Sequence, residues 1–123
     1  MTAGDIPVLD ASYPAYADYS ALQFCAVYID SDGYARKATT ATDVRGILQD
    51  KPSAKEMVCA VRELGHSKAR MLTHSGASGD LLCVGDTDGR LSHSGTPSTD
   101  TICAVALEAW TTTDQIIEVA LMR

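Results

Sequence analysis

Near the end of the chain apolar side chains fall at every second position. Ile117, Val119 and Leu121 share one face of an extended segment, with Ile116, Glu118 and Ala120 opposite. That period predicts a half-buried strand. Short apolar runs at residues 24–30, 34–38, 44–48, 81–84 and 102–109 predict further strands. Turn chemistry separates them. Asp30-Ser31-Asp32-Gly33 and Asp86-Thr87-Asp88-Gly89 are hairpin signals. Lys51-Pro52-Ser53 ends a strand, because proline cannot donate to a ladder. Residues 39–43 are a polar loop, and 92–100 are a loop rich in Ser, Thr, Gly and Pro. The expected architecture is all-β: a small barrel or sandwich-like single domain over residues 21–123.

Residues 53–64 carry two conflicting patterns. Ser53-Ala54-Lys55-Glu56 is a capping box, and Met57, Val58, Val61 and Leu64 follow at helical spacing, with Gly65 where a helix would end. A weak internal repeat points to a strand instead. The two Asp-x-Asp-Gly turns recur 56 residues apart. At a spacing of 58, Gly46-Ile47-Leu48 matches Ala104-Val105-Ala106, Val58-Cys59-x-Val61 matches Ile116-Ile117-x-Val119, and Cys25 matches Cys83. The repeat favours a strand over 57–63, with tertiary pairing overriding helix propensity.

Residues 1–20 differ from the rest. Tyr13, Tyr16 and Tyr19 recur every third position beside Pro14, with few aliphatics to build a core. An extended N-terminal arm is expected, separate from the β domain. Tyrosine joins a large apolar face to a polar tip, so Tyr13, Pro14, Tyr16 and Tyr19 are the candidate interface residues. On this reading the domain folds without its arm.

The chain has 123 residues and a net charge of -6. Its ten Lys and Arg are scattered, without the basic stripe that phosphate neutralisation requires, so nucleic acid is not an expected partner. No run approaches the roughly 20 apolar residues of a membrane span, and the first residues lack a signal-peptide pattern. Synthesis and folding in a cytoplasm are expected. Cys25, Cys59, Cys83 and Cys103 form no C-x-x-C pair and sit among apolar neighbours, so four buried free thiols are expected, with a disulfide as the alternative.

Catalytic chemistry finds little support. The histidines are His66, His74 and His93; the last two sit in similar polar contexts, and no G-x-S-x-G elbow occurs. Gly76-Ala77-Ser78-Gly79-Asp80 lacks the lysine of a phosphate-binding loop and reads as a turn. The Asp-x-Asp-Gly turns lack the twelfth-position glutamate of a calcium loop, since those positions hold Ala41 and Pro97. No enzyme activity, metal or cofactor is expected.

The order of segments adds a further pointer. It runs from Ala17-Asp18-Tyr19-Ser20-Ala21-Leu22-Gln23-Phe24, through Val44-Arg45-Gly46-Ile47-Leu48-Gln49-Asp50-Lys51-Pro52, to Val61-Arg62-Glu63-Leu64-Gly65-His66-Ser67-Lys68 and Gly79-Asp80-Leu81-Leu82. It ends with Ala104-Val105-Ala106-Leu107-Glu108-Ala109 and Ile116-Ile117-Glu118-Val119. This order, over residues 17–122, resembles the small phage capsid decoration proteins, also called head cement proteins. The cysteines and the helix-like residues 53–56 depart from that family. The resemblance implies a non-enzymatic virion protein on the outer capsid surface, with the major capsid protein as partner, clustered most often as trimers at symmetry axes. A receptor- or ligand-binding module associated with a tail is the rival reading, and a small hydrolase a third.

Overall fold

The computed structural model describes residues 8–72, 75–94 and 101–121, and it is all-β. Ten strands occur among these residues: β1 (Leu9–Pro14), β2 (Ala26–Ile29), β3 (Ala35–Lys37), β4 (Gly46–Leu48), β5 (Val58–Leu64), β6 (His66–Arg70), β7 (Leu81–Val84), β8 (Leu91–His93), β9 (Ala104–Ala106) and β10 (Ile116–Leu121). They form two five-stranded antiparallel sheets, ordered β1-β5-β4-β2-β3 and β6-β10-β9-β7-β8. The second order is the first with five added to each number. The chain therefore repeats one five-strand unit, and Gly65 alone separates β5 from β6.

Hydrogen bonds carry the repeat into detail. Ala15 makes a parallel bridge to Ala35, and Met71 makes the same bridge to Leu91, each tying the end of the first strand back to the third. The Tyr16 N–H bonds the Ala35 carbonyl at 3.0 Å, and the Leu72 N–H bonds that of Leu91 at 2.7 Å. Phe24 N–H to Leu48 oxygen recurs as Gly79 N–H to Ala106 oxygen. In both hairpins one aspartate closes the turn. Asp30 Oδ1 accepts the N–H groups of Asp32 and Tyr34, and Asp86 Oδ1 those of Asp88 and Arg90. Gly33 and Gly89 take φ of 86° and 80°, which glycine adopts without steric cost.

The spacing between equivalents is not constant. Register equates Ala26 with Leu81, Ala35 with Leu91 and Ile47 with Val105, so the offset grows through the loops. This corrects one sequence match. Cys25 corresponds to Asp80, since each carbonyl accepts from the last residue of the fourth strand of its unit, Leu48 and Ala106. Cys83 lies on β7, so its match to Cys25 is accidental.

The strand reading of residues 57–63 holds as β5, Val58–Leu64. Cys59 and Val61 point inward and are buried, while Val58 and Leu64 are exposed. The capping-box residues instead make a tight turn, with the Met57 N–H on the Ala54 carbonyl. Ladder bonds to both β1 and β4, and burial of alternate side chains, outweigh the local helical preference. Residues 92 and 93, expected in a loop, belong to β8 and pair with β7.

The tyrosine-rich segment is woven into the first sheet from Leu9 onward. β1 pairs with β5 from Leu9↔Leu64 to Pro14↔Val58, and Ala15 and Tyr19 are buried. Its lack of aliphatics did not keep it out of a core, because Tyr19 supplies the apolar surface itself.

Each unit has its own interior. Ala15, Tyr19, Val27, Ala35, Leu48, Cys59 and Val61 cluster in the first. The second centres on Met71, Leu82, Leu91, Trp110, Ile117 and Val119. Ala26, Ala38 and Ile47 belong to the first unit but pack into the second cluster, so burial is continuous across the join. Each fully buried aliphatic of this size contributes about 1.5–3 kcal/mol. All four cysteines are free; Cys25, Cys59 and Cys103 are buried, whereas Cys83 is half-buried, against the expectation of four buried thiols.

Candidate docking surface

The four candidate interface residues separate into two groups. Tyr19 faces inward, 6% exposed, and its hydroxyl accepts the Lys37 N–H at 3.4 Å; burial pushes its phenol pKa up. Tyr13 packs against the first core, and its hydroxyl lies 3.4 Å from Glu63 Oε2 and 3.2 Å from Arg45. Both support the fold. Pro14 and Tyr16 face outward. Pro14 lies opposite the exposed Val58, and the Ala15 N–H bonds the Met57 carbonyl, which brings Met57 alongside.

Tyr16 is the centre of a surface cluster that spacing alone did not reveal. The Arg36 guanidinium carbon sits 3.4 Å above its ring centroid. The Tyr34 ring meets it edge-on at 6.0 Å and 83°. Lys55 Nζ lies 5.0 Å from the Tyr16 centroid and 5.5 Å from that of Tyr34. The negative ring faces hold the two cations, and the cations hold the rings in place. Arg36 Nε also donates to Asp30 Oδ2 at 2.6 Å, which holds the Asp30 carboxyl below its ordinary range. The Tyr34 hydroxyl donates to Glu56 Oε1 at 2.8 Å, and that bond raises its pKa. With Met57 and Val58 at 46% and 66% exposure, the patch combines fixed aromatic rings, cations and bare apolar surface. Such a surface suits protein contact more than small-molecule chemistry. Tyr34 and Arg36 lie on the return arm of the first hairpin, and only the fold shows that this arm meets the end of β1.

The second unit lacks this cluster. Tyr34 corresponds to Arg90, which donates to Asp86 at 2.7 Å and to Asp114 at 2.8 Å, and both bonds raise its pKa. Tyr16 corresponds to Leu72, and Arg36 to Ser92.

The residues weighed for chemistry are not assembled. His66 opens β6, and its carbonyl accepts from Arg62. His93 lies exposed on β8 with Nδ1 3.4 Å from Asp80, and His74 falls outside the described residues. Residues 76–80 form a turn, in which the Ala77 N–H bonds Asp80 Oδ2 and Gly79 has φ of 93°. Among the described residues no group of three or more His, Cys, Asp or Glu is placed to hold a metal ion.

No family model matches the chain, and no curated protein matches it. A solved structure does: the head fiber gp8.5 N base in bacteriophage phi29. The two superpose with a TM-score of 0.66 at 18% identity, over 94% of this chain and 95% of that one. At that identity the likeness is one of fold, and it extends through both five-strand units: the chain has the fold of a phage head fiber base.

Proposed function

We propose that this chain is a non-enzymatic structural protein of a phage virion. It binds the outer surface of the assembled capsid and stabilises it by bridging major capsid protein subunits. The observation that carries the reading is the fold shared with a head fiber base over 94% of the chain. The segment order supports it as well, since it resembles that of decoration proteins, a family attached to the outer face of assembled heads.

The contact is assigned to the patch of Pro14, Tyr16, Tyr34, Arg36, Lys55, Met57 and Val58. Its rings are immobilised before binding, so docking loses little side-chain entropy. Trimers at three-fold or quasi-three-fold axes would multiply modest contacts by holding several patches against one shell. The role uses no cofactor, nucleic acid or membrane.

Co-sedimentation with undecorated heads tests the reading. Saturable binding, together with heads that resist heat longer when loaded, is the expected result. A chain that stays in the supernatant at every concentration would sink it. The paired variant Tyr16→Ala with Arg36→Ala should bind at least about tenfold more weakly while melting near the wild-type temperature.

A further inference from the structure

The join between the two units uses different surfaces on its two sides. Ala26 of the first unit donates its N–H to the Gly89 carbonyl of the second at 2.7 Å. Lys37 Nζ pairs with Asp88 at 2.9 Å, and Gln49 Nε2 donates to Ser67 Oγ at 2.9 Å. One unit presents Ala26, Lys37 and Gln49, and the other presents Gly89, Asp88 and Ser67. A contact of this kind is heterologous, and it leaves one copy of each surface unused.

The unused copies follow from the register of the repeat. Leu81, His93 and Leu107 of the second unit correspond to Ala26, Lys37 and Gln49. Gly33, Asp32 and Ala11 of the first unit correspond to Gly89, Asp88 and Ser67. Each pair remains matched after substitution. Lys37 with Asp88 becomes His93 with Asp32. Nδ1 of His93 lies 3.4 Å from Asp80 of its own chain, and the other ring nitrogen, Nε2, is the donor for the Asp32 carboxylate. Gln49 with Ser67 becomes Leu107 with Ala11, so both polar partners have turned apolar together. Ala26 with Gly89 becomes Leu81 with Gly33, and the two glycines share a positive φ, 80° and 86°. His93, Leu107 and Asp32 are exposed, while Leu81, Ala11 and Gly33 are half-buried.

We infer that a second copy of this chain occupies these surfaces, joining head to tail through an interface that repeats the one inside each chain. Leu81, His93 and Leu107 of one copy meet Gly33, Asp32 and Ala11 of the next. Repetition of such a contact closes a ring when the rotation between units permits it, and every unit then has a neighbour on both sides. The inference rests on the self-association in the preceding reading but not on binding to a shell.

Cross-linking tests it. Asp32→Cys and His93→Cys chains, distinguished by a mass tag, are treated with a short bismaleimide separately and mixed. The expected result is cross-linked dimer in the mixture and only wild-type background in either sample alone. Equal linking within one variant alone would show a two-fold contact and overturn the proposal. So would a chain that sediments as a monomer at millimolar concentration, or an oligomer that gives no link in the mixture. Leu107 is 39% exposed, so Leu107→Glu should fold, and it should weaken association by about tenfold or more. An unchanged association constant would also overturn the proposal. A chain that associates in this way and ignores phage heads would establish the contact and remove only the capsid reading.

Discussion

Glu56 and Asp114 hold the same unusual backbone conformation, φ 72° and 66°, at the same point of the two units. Each donates its N–H at 2.7 Å to the carbonyl of the residue just after the unit's first strand, Ala15 or Met71. Each side chain accepts a 2.8 Å bond from equivalent residues of the hairpin, Tyr34 or Arg90. A left-handed conformation costs a side-chain-bearing residue roughly 1–2 kcal/mol. Both units keep it because the chain must turn there to enter its closing strand.

Replacing each with glycine should separate strain from contact. Glu56→Gly relieves the backbone and loses only a hydrogen bond at the surface, so its melting temperature should hold or rise. Asp114→Gly relieves the same strain but takes one of two carboxylates from Arg90, and its gain should be smaller or reversed. Thermal melts of both variants check this. A larger loss for Glu56→Gly would contradict the assignment.

The two hairpin glycines should differ although their φ values are alike. A Cβ at Gly33 meets open space, whereas one at Gly89 would run into the backbone carbonyl of Ala26. Gly33→Ala should therefore cost about 1 kcal/mol, the strain of a positive φ. Gly89→Ala should cost clearly more, because it also forces the two units apart. Urea unfolding of both variants measures the difference.

The tyrosines should divide by burial. Tyr19→Ala empties part of the first core and should lower stability by roughly 3 kcal/mol. Tyr16→Ala should change stability by less than about 1 kcal/mol, since it removes surface contacts only. Deleting residues 1–20 should unfold the first unit, because it removes β1, Ala15 and Tyr19 together. A shortened chain with native melting behaviour would contradict the role given to β1.

Thiol chemistry should follow depth. Burial pushes Cys25 and Cys59 up to about 11 and Cys103 up to about 12, from an ordinary 9.0. Those three should react slowly when folded, Cys83 first, and four thiols should titrate after denaturation without reductant. The sign for stability follows. The unfolded chain releases these protons near pH 9 and the folded chain only near 11 or 12, so stability present below pH 9 should fall across that interval. On the acid side Asp30, held low by Arg36, stabilises above its ordinary 3.8, and that contribution is lost as pH drops below it. Melting temperature against pH should show both slopes.

Much of the fold was legible because it rests on local signals. The hairpins announce themselves in Asp-x-Asp-Gly, and β10 in the alternation of Ile117 and Val119. The repeat correctly overruled the capping box at residues 53–56, although one of its matches, Cys25 with Cys83, was accidental. β1, β6 and β8 were missed for a common reason. Ser12, Ser67, Lys68 and Ser92 carry no strand propensity, and these segments are strands only because a neighbour pairs with them. The surface cluster was half legible. Tyr16 stood out, but Tyr34, Arg36 and Lys55 reach it only through the closure of the sheet.

The single glycine between β5 and β6 has a mechanical consequence. No slack linker lies between the units, so a pull on one reaches the other through a chain that is hydrogen-bonded up to Leu64 and again from His66. Ladder bonds run across the strands, so tension along the chain loads several of them at once instead of opening them singly. A load on either unit is thus shared by both sheets, and neither can extend before a ladder breaks.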